Sequence, residues 1–141
     1  MNLGGYILRA ILIKSTNIVE LIDIKPNLDG ISDALHADLI RRLKPKYWIS
    51  SGLLNKDFRL FVDGEFFIKD KTDNCVATYL RCGDNECDEI IKGDALLCMY
   101  TKMKEDPNAD DSCIESIFEK LINMSASYRF DEGTLFDSNI F

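Results

Sequence analysis

Carboxylates crowd one short stretch of the chain, and they are the first side chains here whose spacing suggests chemistry. The stretch of residues 84–94 contains Asp84, Glu86, Asp88, Glu89 and Asp94. A calcium loop would need an internal glycine and a later bidentate Glu at defined positions, and the run beginning at Asp84 lacks both. The stretch therefore predicts an acidic surface and not a metal site.

A second group of carboxylates lies near the C-terminus, among aromatic residues. It consists of Asp131, Glu132 and Asp137. Neighbouring side chains point apart in a helix or a strand, so Asp131 and Glu132 do not form the facing pair that glycoside hydrolysis requires. Together with the stretch of residues 84–94, this group predicts an acidic partner-binding surface.

Nucleophilic catalysis and zinc binding lack the residues that they need. His36 is the only histidine, and Cys–His or Ser–His mechanisms need a histidine as the base. The five cysteines do not form the two closely spaced pairs of a structural zinc site; they are Cys75, Cys82, Cys87, Cys98 and Cys113. Their odd number also predicts no disulfide framework. We therefore expect a non-enzymatic protein without a metal or a cofactor.

A short basic and aromatic stretch supports a second hypothesis, a small-ligand protein that binds and sequesters a nucleotide signal. The stretch contains Arg41, Arg42, Lys44, Tyr47 and Trp48. Cations can hold a phosphate while aromatic rings stack on a base. The alternative is that the cations complement the end of a helix and that Trp48 packs in the core. The isoelectric point near 4.7 opposes direct binding of nucleic acid.

The charge of the chain is divided unevenly, which favours a protein partner. Residues 1–60 hold nine Lys and Arg against six Asp and Glu, whereas residues 61–141 hold eight against eighteen. An acidic half of this kind can imitate a phosphate array and compete for a nucleic-acid-binding cleft. We expect the partner to be a host protein, in the concrete version a nucleic-acid-handling defence complex that the acidic surface inhibits. Ordinary solubility explains the same charge.

The size and the apolar pattern predict one α+β domain. With 141 residues, 46% of them hydrophobic, the chain can bury a core of its own. We expect a mostly antiparallel sheet of five to six strands with two main helices packed on one face. The domain should span residues 1–127, followed by an acidic and aromatic tail of residues 128–141. No apolar run approaches the about 20 residues of a membrane span, so we expect a cytoplasmic protein with no membrane contact.

The predicted elements follow from periodicity and turn signals. Strands are expected over residues 6–14, 18–24, 58–62, 65–69 and 95–101. Residues 75–82 also predict a strand, with a helix as the alternative. Apolar residues at a spacing of four predict a helix over residues 27–44 that ends at Pro45. A second helix is expected over residues 111–124.

The clearest local signal is the Asp63–Gly64 turn, which predicts a tight hairpin between residues 58–62 and 65–69. In that register Phe61 lies opposite Phe66 and Leu60 lies opposite Phe67. Apolar pairs then occur on both faces of the sheet, and one face must be covered by a helix or by another chain. A structural homo-oligomer is therefore the third hypothesis.

The order of elements also resembles a known family. The likeness includes the N-terminal apolar strand, residues 89–97 (EIIKGDALL), the acidic turn after them and the helical pattern from Ile114 to Leu121. These features resemble a family of small uncharacterised proteins encoded mainly by phages, plasmids and integrated elements of Gram-positive bacteria. The likeness covers about half of the chain and leaves out residues 44–56 and those after Met124. It implies a small α+β fold and an accessory role in phage or mobile-element biology.

Overall fold

Five antiparallel strands form one sheet in the computed structural model, which describes residues 7–66, 71–83, 89–99 and 113–140. The strands are β1 (Leu8–Ile13), β2 (Val19–Ile24), β3 (Ile40–Leu43), β4 (Phe58–Asp63) and β5 (Ala95–Met99). Their order across the sheet is β2-β1-β5-β4-β3. The predicted α+β class and the antiparallel sheet are confirmed.

Four helices accompany the sheet: α1 (Leu28–Leu35), α2 (Lys46–Ser50), α3 (Cys75–Cys82) and α4 (Cys113–Ile140). Asparagine side chains cap α1 and α3, because Asn27 accepts a hydrogen bond from the Gly30 N–H and Asn74 accepts one from the Ala77 N–H. The side chains of α4 are described as far as residue 126. The predicted division into a domain of residues 1–127 and a tail stays a prediction, and the backbone of residues 128–140 continues α4.

The helices lie on both faces of the sheet. On the α1 face, Ile31 and Leu35 of α1 pack on side chains from the sheet, namely Leu8, Ala10, Leu12, Ile24, Phe61, Leu96 and Cys98. On the opposite α4 face, residues of α2, α3 and α4 pack on a larger core that includes Ile11, Leu60 and Leu97. The central strands bury side chains at successive positions, so both faces need cover. The two main helices expected from the sequence therefore lie on opposite faces.

The predicted helix of residues 27–44 was wrong beyond Leu35. His36 takes up the left-handed conformation, with φ 52° and ψ 47°, and its N–H donates to the Ser32 carbonyl oxygen as a C-cap. The following residues form β3, which pairs with β4. The four-residue apolar spacing suggested a longer helix, but Leu39 is 57% exposed. Pairing with β4 outweighed the local helical pattern.

The predicted hairpin of residues 58–69 was also wrong. Both edges of β4 are occupied, because Phe61 lies opposite Arg42 of β3 on one side and opposite Leu96 of β5 on the other. After Asp63 the chain turns, and Phe66 is buried. Residues 67–70, which include Phe67, lie outside the described residues. Pairing with two distant strands outweighed the local Asp–Gly turn signal, which acts only between neighbours in sequence.

The remaining elements fall close to their predicted places. The strands expected over residues 6–14 and 18–24 are confirmed as β1 and β2, which pair as a hairpin, and the buried strand that starts at Ala95 is confirmed as β5. Residues 75–82 form α3, so the strand prediction there was wrong and the helical alternative was right. Its burial pattern explains this, since Val76, Ala77 and Leu80 lie on one helical face and are buried.

Candidate functional site

The structure places only two of the residues predicted for the acidic surface. Asp84, Glu86 and Asp88 lie outside the described residues. Asp131, Glu132 and Asp137 belong to the C-terminal part of α4, of which only the backbone is described. Glu89 and Asp94 are the two that remain.

Glu89 and Asp94 both make contacts within the chain. Glu89 Oε1 lies 2.7 Å from Arg41 Nη1 and 3.6 Å from Arg81 Nη1. The hydrogen bond from Arg41 is the main cause that lowers the pKa of the Glu89 carboxyl. Asp94 Oδ1 accepts a hydrogen bond from the Ser15 N–H at 3.1 Å. Both carboxylates therefore make contacts within the fold.

The five residues of the nucleotide hypothesis are not brought to one pocket. Trp48 is only 4% exposed and belongs to the core of the α4 face. Tyr47 packs edge-on against Tyr79, with ring centroids 5.5 Å apart. Arg41 pairs with Glu89, and because successive strand residues point to opposite faces, Arg42 projects away from Arg41. Lys44 is exposed.

A polar cleft of about 250 Å³ lies at the end of the sheet, between Ser15, Lys71 and Asp94. Beside it, Lys71 Nζ lies 3.1 Å from Asp63 Oδ2, and the Asp63 side chain is 2% exposed. A buried carboxylate needs such a partner, because an unpaired charge out of water is costly. The Gly93 N–H donates to the Thr72 carbonyl oxygen at 2.7 Å. These contacts join the segment before α3 to β4 and β5.

The cysteines do not form one cluster in the described residues. Cys75 is exposed, Cys98 is buried and Cys113 is half-buried, and all three are free thiols. Cys82 is disulfide-bonded, a bond that the sequence analysis did not predict. Across the described part of the chain, no group of three or more side chains is placed to hold a metal ion. Among the described helices, none is both long and apolar enough to cross a membrane.

A second groove, of about 300 Å³, lies between β2 and α1. Ile22, Ile24 and Ala34 supply its apolar side chains, Asp33 supplies a carboxylate and Lys25 supplies a cation. Asp23, between the two isoleucines, lies on the opposite face of β2 and pairs with Arg9 at 3.9 Å. We call this feature the β2–α1 groove. It combines apolar side chains with Asp33 and Lys25 at the edge of the sheet, since β2 is the last strand in the order.

Gly30 sets how closely α1 approaches the end of β2. A Cβ atom at this position would lie 2.1 Å from the carbonyl oxygen of Lys25, which is far inside the contact distance. The glycine therefore allows the first turn of α1 to lie against the segment that follows β2. This close approach forms one end of the β2–α1 groove.

The carboxylates on and after α1 are exposed, and among the described residues they form no ion pair. Asp29, Asp33 and Asp38 are exposed, and none of them forms an ion pair with another described residue, unlike Glu20, Glu89 and Glu115. Asp29 and Asp33 are four positions apart, where like charges repel. Asp33 also lies in the last turn of α1, which contains no basic residue and where the helix dipole disfavours a negative charge.

Sequence reasoning did not identify these residues as a site. The sequence predicts only a helix over residues 27–44 at this place. The signal that could have found them is the i, i+4 pair of like charges, which lowers helix stability. A feature that costs the fold free energy is more readily explained by binding than by folding.

Replacing Asp33 with asparagine is therefore expected to stabilise the fold. Removal of the repulsion with Asp29 and of the unfavourable dipole interaction should raise the free energy of unfolding by about 0.3–1 kcal/mol. Urea denaturation at low ionic strength measures this change. Asp38→Asn, at an exposed carboxylate outside the helix, provides the matched control. A lower free energy of unfolding for Asp33→Asn would contradict the account of α1.

Comparison of the chain with protein-family models, with curated proteins and with solved structures found no match. The resemblance to phage and mobile-element proteins therefore stays a prediction. The evidence for a function is the β2–α1 groove together with the exposed carboxylates Asp29, Asp33 and Asp38.

Proposed function

We propose that this protein is a non-enzymatic binding protein that captures another protein through an acidic surface. The observation that carries the proposal is the group of exposed carboxylates on and after α1, Asp29, Asp33 and Asp38, which form no ion pair among the described residues. Several carboxylates elsewhere are paired with basic side chains, namely those bound by Arg9, Lys14, Arg41, Lys71, Arg81 and Lys92. The carboxylates on and after α1 are therefore available to a partner.

The apolar side chains beside these carboxylates support a protein as the partner. Leu28, at the start of α1, is 60% exposed, and the β2–α1 groove contributes Ile22, Ile24 and Ala34. Apolar contacts surrounded by charged groups are typical of protein interfaces, where the apolar centre supplies affinity and the charges supply specificity and association rate. A partner with a basic surface complements this arrangement.

The concrete version of the proposal combines this surface with the composition and the resemblance. We propose an accessory protein of a phage or mobile element that binds and inhibits a host protein in the cytoplasm. A target that handles nucleic acid offers a basic cleft, and an acidic surface competes for such a cleft. On the sequence alone, we include in the proposal the carboxylates Asp84, Glu86, Asp88, Asp131, Glu132 and Asp137.

The test is affinity capture from a host-type bacterial lysate, with quantitative mass spectrometry of the captured proteins at low and at high salt. We expect one basic protein, captured in stoichiometric amount and lost as the salt concentration rises. Asp33→Lys should reduce the capture of this protein at least tenfold, because the substitution replaces the Asp33 carboxylate beside the groove with a positive charge. Glu119→Lys makes the same charge change on α4 and should leave capture within twofold.

Two results would count against the proposal. One is a captured partner whose yield is the same for wild type, Asp33→Lys and a variant with Glu86 and Asp88 changed to Lys. The other is the absence of any salt-sensitive partner at low ionic strength. If only the Glu86 and Asp88 variant loses the partner, the acidic surface is correct and its centre lies in the stretch of residues 84–88.

A further inference from the structure

The cysteines of the chain combine one disulfide with free thiols. Cys82, the last residue of α3, is disulfide-bonded, whereas Cys75, Cys98 and Cys113 are free. The sequence holds one further cysteine, Cys87, which lies outside the described residues. A bond within the chain can therefore join Cys82 only to Cys87, and it closes a ring of six residues.

The backbone at the end of α3 permits such a short ring. In a continuing helix, residues five positions apart would be separated by about 7.5 Å along the axis, which is beyond the usual reach of a disulfide. Gly83 ends the helix with φ 61°, and its N–H donates to the Tyr79 carbonyl oxygen at 2.8 Å. A Cβ atom at Gly83 would lie 2.5 Å from the ring of Tyr47. The chain therefore leaves the helix directly after Cys82, at a turn that needs glycine.

The bond also brings Glu89 towards its cations. Glu89 follows Cys87 by two positions, and Arg81 directly precedes Cys82. A disulfide holds its two Cα atoms about 5.5 Å apart, whereas an open segment from Cys82 to Glu89 could extend to about 24 Å. Glu89 Oε1 lies 2.7 Å from Arg41 Nη1 and 3.6 Å from Arg81 Nη1. The closed ring thus raises the effective concentration of the carboxylate beside both guanidinium groups.

The surroundings of this disulfide are those of a reactive bond and not of a structural cross-link. Cys82 is half-buried, so a small thiol can reach it. Val76 and Leu80 already anchor α3 in the core, and a ring this short gains little stability from cross-linking. Cys75 is exposed and remains a free thiol, unlike the cysteines of a secreted disulfide framework. Accessible disulfides are the ones that exchange with thiols.

We infer that Cys82 and Cys87 form a thiol–disulfide exchange site, whose disulfide holds Glu89 against Arg41 and Arg81 and whose reduction loosens that attachment. The reductant is a small thiol of the glutathione class. Its thiolate attacks one sulfur of the bond and forms a mixed disulfide, while the other cysteine is released. A second thiolate resolves the mixed disulfide and releases the first cysteine. Two electrons pass to the protein, each released cysteine takes up one proton, and the reductant becomes its own disulfide.

This inference goes beyond the proposed function and does not depend on the identity of a partner. Alkylation with N-ethylmaleimide, followed by mass spectrometry of the peptides, measures the exchange. In the folded protein, reduced glutathione should raise the labelling of Cys82 and Cys87 together at least tenfold, and prior treatment with glutathione disulfide should abolish this labelling. Cys98 should stay unlabelled throughout, because its thiol is buried, and it reports that the fold is intact. Cys75→Ser, which removes an exposed free thiol, is the matched control and should change none of these results.

The carboxyl of Glu89 reports the attachment itself. The hydrogen bond from Arg41 lowers its pKa, so reduction of the disulfide should raise this pKa towards the ordinary value. Cys87→Ser lacks the disulfide in every thiol buffer and should show the same raised pKa. Carbon-detected NMR titration of the oxidised and reduced wild type and of Cys87→Ser measures the change. Cys75→Ser should keep the lowered pKa of the oxidised wild type.

Three results would overturn the inference. Labelling of Cys82 in the absence of any reductant would mean that the two cysteines are free thiols. Reduction that needs a denaturant, or that exposes Cys98 at the same time, would make the bond a structural cross-link. An unchanged pKa of Glu89 after complete reduction would mean that the disulfide does not hold this carboxylate in place.

Discussion

Replacing Asn74 with alanine is expected to lower the free energy of unfolding by about 3–5 kcal/mol, which makes it one of the most damaging single changes in this fold. The side chain is fully buried. Its Nδ2 donates to the carbonyl oxygens of Ile13 and Gly93, at 2.9 and 2.8 Å, and its Oδ1 accepts from the Ala77 N–H. Alanine would leave two carbonyl groups and a helical N–H without these bonds, in a place that water does not reach.

Asn27→Ala is the matched control for this prediction. Asn27 is also an asparagine N-cap, but it is exposed and its side chain caps α1 through the Gly30 N–H. Loss of a cap of this kind costs about 1 kcal/mol. Urea denaturation of both variants at one pH measures the difference. Equal losses for the two variants would contradict the view that Asn74 joins α3 to β1 and β5.

Asn74 also shows why part of the fold could not be predicted from the sequence. Its bonds connect residues 61 and 19 positions apart, and no local pattern encodes such partners. The same limit explains the two wrong elements. The helical spacing from Ile31 to Leu43 and the Asp63–Gly64 turn are strong local signals, and in both cases the β3–β4 pairing decided the structure.

What the sequence predicted well was local or compositional. The β1–β2 hairpin depends on a three-residue turn at Ser15 to Asn17, where Asn17 adopts φ 66°, and asparagine tolerates that conformation. The buried run from Ala95 to Met99 could hardly lie at the surface. The uneven charge indicated an acidic surface but located it in residues 61–141. Three exposed carboxylates without an ion pair among the described residues, Asp29, Asp33 and Asp38, lie instead on and after α1, and finding them required knowledge of which acids the cations neutralise.

The second large effect is expected at high pH, and its origin is Cys98. Burial under α1 raises the pKa of this thiol to about 12 from an ordinary value of 9.0, and the nearby Asp57 charge adds to the shift. Because the folded state holds the neutral thiol, its contribution to stability is complete below pH 9. The contribution declines as the pH rises from 9 to 12, by about 1.4 kcal/mol per pH unit. Between pH 8 and pH 11 the loss from Cys98 should reach about 2–3 kcal/mol.

Comparison with variants isolates this contribution from the titration of lysine and tyrosine. Cys98→Ala should be less stable than wild type at pH 8, because it leaves a small cavity, and the gap should shrink by about 2–3 kcal/mol at pH 11. Cys75→Ala, which removes an exposed thiol, controls for the loss of a thiol group as such. A constant gap for Cys98→Ala would show that the Cys98 thiol is accessible to water.

The position of Cys98 connects this titration to the binding surface. The described helix that packs over the thiol is α1, an eight-residue helix that also forms one wall of the β2–α1 groove. A partner that packs against α1 stabilises the folded state and opposes exposure of Cys98. Reaction of the thiol with a small alkylating reagent should therefore be slower in the complex with the captured basic protein. Unchanged reaction of Cys98 would mean that binding at the groove does not stabilise α1.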